Sequence, residues 1–385
     1  MTQPARLSPS TTSLSDACAQ APSAAVASDS PAVSAVSSKT SRHAALAGAL
    51  LLGASLSPQA MAQDSFSVCW SVYAGWMPWE YADTQGIVDK WAKKYEINID
   101  VVQVNDYVES INQYTSGNVD GCAMTNMDAL TLPAASSVDS TALILGDYSD
   151  GNDGVMVRDG DSIESLKDRE VNLVQFSVSH YLLARALASV GMSERDLTTT
   201  NTGDADIVAL ASNTDTQAVV TWNPQLATLK DMPGYTEVFN SSDIPGEILD
   251  LMVVNTQTLK DNPDFGHALV GAWYEVMEKM KAGDEAALSQ MADAAGTDLA
   301  GYQAQLAATH MYYTPAEAVA AFNAPSLKDT MQHIADFSFA QGLLGEGAPD
   351  AGFIGIETPA GIVGNEGNVM LRFDPSYTAA LADSQ

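Results

Sequence analysis

The chain has 385 residues, with 48 Asp or Glu against 17 Lys or Arg, a formal net charge of −31. Phosphate binding needs clustered Lys and Arg, so this balance argues against a nucleic-acid partner. The acids are scattered over helix-like and loop-like stretches, as a solvated surface scatters them. His180, His267, His310 and His333 stand singly, without Cys or His at ligand spacing, so neither a metal centre nor a cofactor is expected.

Residues 1–41 are rich in Ser, Thr, Ala and Pro and lack apolar periodicity; Lys39, Arg42 and His43 precede an apolar run over residues 44–56 and the triplet Ala60-Met61-Ala62. A charged n-region, an h-region too short to span a bilayer and a small-residue cleavage site in that order make a signal peptide with a long leader, cleaved after Ala62. Either the first forty residues are an extended n-region or the true start codon lies later. Cleavage leaves 323 residues, with 46 acids and 14 bases, enough for two domains. No later segment has eighteen consecutive apolar residues, so an exported soluble protein is expected.

A strand ending in a burst of aromatics opens the mature chain: Trp70, Tyr73, Trp76, Trp79, Glu80 and Tyr81 fall within SFSVCWSVYAGWMPWEYAD. Ile87, Val88, Trp91, Ala92 and Tyr95 then recur at helical spacing, and Ile97, Ile99 and Val101 alternate as in a strand. Tyr107, Val108, Ile111 and Tyr114 mark a second helix, Gly117-Asn118 a turn, and residues 119–124 and 141–145 two more strands. The βα alternation restarts after Arg158. Residues 171–176 read as a strand, Ser177-Val178-Ser179 as the start of the helix over residues 180–190, residues 217–221 as a strand running into Trp222-Asn223-Pro224, and residues 235–239 and 249–255 as further strands. Phe265, Leu269, Trp273, Val276 and Met280 begin a helical stretch that lasts to about residue 339, and the last forty residues are Gly-rich and irregular.

A chain that leaves one βα lobe, builds a second and returns is a hinged clamshell. The expected division is residues 63–156 for the first part of lobe one, 157–252 for lobe two, 253–340 for a helical return to lobe one, and 341–385 for an extension wrapped over it. The crossings are expected near residues 155–158 and 252–255. Cys69 and Cys122 lie on strands that would be neighbours, so they form either a disulfide or two buried thiols.

The segments CWSVYAGWMPWEYA, SGNVDGCAMTNMDAL, GDYSDGNDGVMVR, LVQFSVSHYLLARAL and TWNP together resemble periplasmic substrate-binding proteins of ABC transporters of the nitrate/taurine class. More narrowly, they are similar to the urea-carboxylase-associated subgroup, labelled as urea receptors, whose associated carboxylases act on guanidine as well. The resemblance spans roughly residues 64–340. It implies an α/β fold, the type II two-lobed periplasmic-binding-protein clamshell with a mostly parallel sheet flanked by helices in each lobe. It also implies a monomer in the periplasm that hands a small molecule to an inner-membrane ABC permease.

Ligands of open α/β sheets sit beyond the carboxyl ends of the strands, where this chain places aromatics and acids. Guanidinium is planar, cationic and donor-only, and needs carboxylates in its plane and an aromatic face beside it. Urea also needs a donor for its oxygen, whereas sulfonates and nitrate need Arg, Lys or helix N-termini. No Lys or Arg occurs between Val68 and Ile87 or between Gly121 and Met156, which favours guanidinium, then other amidines or ammonium compounds, then urea.

The candidate ligand-binding residues are Tyr73, Trp76, Trp79, Glu80, Thr125, Asn126, Asp128, Asp147, Ser177, Ser179 and Trp222. Each has an ordinary structural role to set against this one. The tryptophans could be core packing, Trp76 and Trp79 being read in a loop around Pro78. Glu80 could open a helix, and Asn126, Asp128, Ser177 and Ser179 could cap one. The acids of residues 147–154 fail the spacing of a calcium loop, with Ser149 and Gly151 at the intermediate places, so Asp147 is assigned to the ligand and the rest to a hinge turn. No phosphate loop, GxSxG or paired nucleophile and base is present, which favours a receptor over an enzyme on the same fold.

Overall fold

The computed structural model describes residues 63–384; the expected leader and signal segment over residues 1–62 lies outside the described residues. In chain order the strands are β1 (Ser65–Trp70), β2 (Asn98–Gln103), β3 (Gly121–Thr125), β4 (Ser140–Ser149), β5 (Asp153–Arg158), β6 (Glu170–Leu173) and β7 (Thr198–Asn201). They continue with β8 (Ala218–Trp222), β9 (Tyr235–Asn240), β10 (Leu249–Asn255), β11 (Thr309–Met311), β12 (Gly355–Thr358), β13 (Gly361–Val363) and β14 (Val369–Phe373). The first sheet has the order β13-β12-β14-β4-β10-β3-β1-β2, with β11 on β4, and the second has the order β7-β6-β8-β5-β9.

Two sheets joined by two crossings make the α/β clamshell. The chain passes to the second sheet between Ser149 and Asp153 and returns between Asn240 and Leu249. Both crossings come earlier than the expected residues 155–158 and 252–255, which lie inside β5 and β10 and pair along their length with sheet partners. The division at residues 156/157 and 252/253 is corrected accordingly. Each sheet is mostly parallel in strand direction, as expected, apart from reversed strands. β10 runs antiparallel to β3 and β4, and β5 antiparallel to β8 and β9, because the strand that enters a lobe from a crossing arrives reversed.

The tail also departs from expectation. β12 and β14 extend the first sheet beyond β4 and β13 closes its edge, so the Gly-rich residues 341–384 carry strands rather than an irregular wrap. Gly364 has φ +75° and its Cα faces the backbone of Gly352 and Ile354, which is why a side chain is missing there. Cys69 and Cys122 occupy facing positions of β1 and β3 and are joined as a disulfide, 53 residues apart in sequence. Among the described residues, no helix is long and apolar enough to cross a membrane.

Local chemistry explains how the aromatic segment is held. Pro78 falls in the first turn of the Met77–Thr84 helix, where its missing N–H costs nothing. Residues 77–84 are therefore helical and not a loop. Trp79 lies on the inner face of that helix, fully buried, with its ring 5.1 Å from that of Trp273 on the long Pro263–Lys281 helix. Asp106 caps the Tyr107–Thr115 helix by accepting the Glu109 N–H at 2.8 Å, which sets Tyr107 at its first position.

Candidate functional site

The cleft between the sheets closes on a narrow cavity with room for about one water-sized sphere. The first lobe lines it with Tyr73, Trp76, Tyr107 and Thr125, and the return strand with Ile248 and Asp250. The second lobe adds Asp153, Val178 and Trp222. A drug-sized ligand needs about 300–1,000 Å³, far more than this closed cleft leaves, so only a very small molecule suits it.

Four aromatic rings form a continuous wall. Tyr73 and Trp76 lie 5.1 Å apart, Trp76 and Tyr107 5.6 Å, and Tyr107 and Trp222 5.5 Å, the last pair edge-on across the two lobes. Opposite them the sheets deliver acids. Thr125 of β3, Asp250 of β10 and Asp147 of β4 occupy one row across three strands, each directly beside the next. Asp153 faces Trp222 at the start of β5, and Asp128 lies just beyond β3.

Asp128 is the best satisfied of the four. Its Oδ2 accepts from the Tyr107 hydroxyl at 2.6 Å and from Thr125 Oγ1 at 2.8 Å. Burial pushes its carboxyl up to about 6, while these donors and the Val178 N–H hold it from going higher. Asp153 accepts from Ser149 Oγ at 2.5 Å, and burial, with the Asp128 charge adding to it, pushes it up to about 7. Asp147 is pushed to about 7 as well, chiefly by burial. Asp250 goes well above the carboxylate range through burial and then the charge of Asp147. No donor reaches either oxygen of Asp147 or Oδ2 of Asp250, and the Tyr73 hydroxyl and Trp76 Nε1 are also buried without partners. No lining residue of this cavity is Lys, Arg or His. Such a site stabilises positive charge and offers hydrogen-bond acceptors that nothing in the protein satisfies.

The sequence matches the family described as NMT1/THI5 like over residues 81–287, more than half of the chain. The chain belongs to the NMT1/THI5-like family. Among solved structures, this family member is similar to the alkanesulfonate-binding protein SsuA from Xanthomonas axonopodis pv. citri bound to MOPS (16% identity, 74% of this chain and 96% of that one, TM-score 0.61). It is also similar to the periplasmic aliphatic sulphonate binding protein SsuA from Escherichia coli (16%, 74% and 95%, TM-score 0.60) and to the periplasmic nitrate-binding protein NrtA from Synechocystis PCC 6803 (12%, 84% and 98%, TM-score 0.53). At these identities the likeness speaks for the fold, and the fold is the periplasmic-binding-protein clamshell. No curated protein matches this NMT1/THI5-like chain.

Of the residues singled out in the sequence, Tyr73, Trp76, Thr125 and Trp222 line the cavity, and Asp128 and Asp147 stand directly behind it. Asp147 does not follow β4 but lies within it, because pairing with β10 and β11 carries that strand on to Ser149. Trp79 is packed away against Trp273, and Glu80 sits on the same helix, outside the lining. Asn126 holds the return crossing, donating to Glu247 O and accepting from Leu249 N–H, each at 3.1 Å. Ser177 caps the Val178–Ser189 helix and donates to Val174 O at 2.8 Å; Ser179 is buried behind it.

Tyr107, Asp153, Val178, Ile248 and Asp250 were not singled out. Asp250 carried a usable signal, a lone charge in the apolar strand LDLMVVN, since a charge there is rare unless paired.

Gly75 sets the approach of Asp147. A Cβ on Gly75 would stand 2.6 Å from Asp147 Oδ2 and 2.7 Å from the Tyr73 ring. Gly75→Ala is therefore expected to displace both groups and weaken the ligand about tenfold, within the roughly 1–3 kcal/mol that overpacking costs. Calorimetric titration checks it, and unchanged affinity would show that Asp147 does not need its present position.

Proposed function

We propose that the chain is the extracytoplasmic receptor of an ABC importer, exported by a cleaved signal peptide, which captures guanidinium or a similar small planar cation between its lobes and delivers it to the membrane permease. The observation that carries this reading is a narrow cavity walled by Tyr73, Trp76, Tyr107 and Trp222 and backed by four buried carboxylates, without a base in its lining. Aromatic faces attract a cation, and in-plane carboxylates accept its N–H groups. The solutes after which the similar proteins are named, sulfonates and nitrate, are anions, and their charge is opposite to what this cavity favours.

The Ser149–Asp153 and Asn240–Leu249 crossings serve as the hinge, and Trp222 closes the lid. Capture rather than catalysis follows the similar structures, each of which is named as a binding protein. Urea is the second reading, favoured by the unpartnered Tyr73 hydroxyl and Trp76 Nε1, two donors able to meet its oxygen.

Calorimetric titration of the processed protein with guanidinium, urea, agmatine, taurine and nitrate decides among these. Guanidinium is expected to bind far more tightly than urea, and the two anions not to bind. Tight taurine binding with no response to guanidinium would overturn the reading.

A further inference from the structure

Asp147 and Asp250 face each other as a cross-strand pair on β4 and β10, with Asp250 wholly and Asp147 completely removed from solvent. Like charges placed directly opposite are unfavourable even on an open sheet, and burial multiplies the cost. Every element packed around them adds oxygen. Tyr73 follows β1, Thr125 ends β3, Asp153 begins β5, and Asp128 and Tyr107 lie across the cavity. Behind them stand Tyr302, whose hydroxyl donates to Ala74 O at 3.0 Å, and Tyr312 and Tyr313 after β11. His310 on β11 is stacked on Tyr148 at 4.5 Å and edge-on to Tyr312 at 5.5 Å, and no Lys or Arg acts on either carboxyl among the described residues. No hydroxyl or amide donates to either oxygen of Asp147, and the one hydroxyl close enough to lower the Asp250 carboxyl is that of Tyr73. Between the two carboxyls themselves, the hydrogen that relieves their facing charges is a proton held by the pair.

We infer that Asp147 and Asp250 share one proton in the empty receptor and that the incoming cation displaces it, so that capture exchanges a ligand cation for a proton. This rests on the reading of the cavity as a cation site. The exchange balances: the protonated pair and the free cation become the ionised pair holding the cation, and one proton leaves to solvent. The buried site then carries the same charge before and after capture. The proton keeps the empty, closed site from bearing two facing charges, and the cation takes over that role. Burial and mutual repulsion, which push Asp147 to about 7 and Asp250 higher, supply a proton still held near neutral pH.

The probe is guanidinium chloride, titrated into the wild-type protein at about pH 6 in buffers of low and high ionisation enthalpy. About one proton should be released per guanidinium bound, and affinity should rise about tenfold per pH unit while the pair is protonated. Infrared difference spectra locate the proton. The ligand-free protein should show a carboxylic-acid carbonyl band that guanidinium removes and that is shifted or diminished in ligand-free Asp250→Asn. Binding heat independent of the buffer would overturn the exchange and leave the receptor reading standing. Absence of guanidinium binding at every pH would overturn both. Proton release whose infrared band is unchanged in position and size in Asp250→Asn would place the proton elsewhere and overturn the assignment to this pair.

Discussion

Asp250→Asn is expected to cost guanidinium binding about 2 kcal/mol or more, roughly thirtyfold, and at the same time to make the ligand-free protein more stable. The loss follows because Asp250 lines the cavity and a charge-assisted hydrogen bond to a desolvated cation is among the stronger polar contacts. The gain has the opposite origin. An unfolded chain lets an aspartate go at about 3.9, whereas the native pair keeps its proton to about 7 at Asp147 and higher at Asp250. Between those values the folded state binds more protons than the unfolded one, so the pair's contribution is fully present in acid and declines as pH rises. Removing one carboxyl removes that decline. Urea denaturation at acid and at mildly alkaline pH should therefore show a difference between wild type and variant that widens as pH rises, and calorimetry should show the affinity loss. Wild-type affinity in the variant would mean that the row of Thr125, Asp250 and Asp147 on β3, β10 and β4 is not the ligand site.

Trp222→Ala is expected to lower affinity by roughly ten- to a hundredfold and to abolish ligand-driven compaction. A desolvated cation–π contact is worth up to about 2 kcal/mol. Trp222 is moreover the side chain with which the second lobe meets Tyr107 of the first. Without it, a ligand on the first lobe keeps one face in water and closure loses its main contact. Small-angle scattering with and without guanidinium reads the compaction directly. The same profile in both states of the wild-type protein, with binding demonstrated, would mean a rigid binder and would remove the hinge from the account.

Half of this site was legible because its residues sit where a βα lobe puts them. Tyr73 and Trp76 follow β1, Thr125 and Asp128 follow β3, and Trp222 ends β8, all at strand carboxyl ends. Trp79 shows the limit of that reasoning. Aromatic density marked the segment, but only the local fold decides that Trp76, in the short 3-10 turn before the helix, faces the cavity and Trp79, inside the helix, faces Trp273. Ser177 and Asn126 illustrate another limit: their side chains satisfy backbone groups at helix and strand ends, a need that local sequence shares with ligand binding.

The sequence by itself determined the two-lobed α/β plan, the burst of aromatics and a surrounding stretch without bases, because periodicity and composition are local properties read along the chain. Tertiary structure alone decided which acids face which. Asp250 lies about a hundred residues beyond Asp147, and they meet only because the strand returning from the second lobe runs antiparallel between β3 and β4, in a register that sets Thr125, Asp250 and Asp147 side by side. Strand register is fixed by the whole buried face of a sheet and not by any one segment, so the buried carboxyl pair at the base of the cavity has no counterpart in the linear chain.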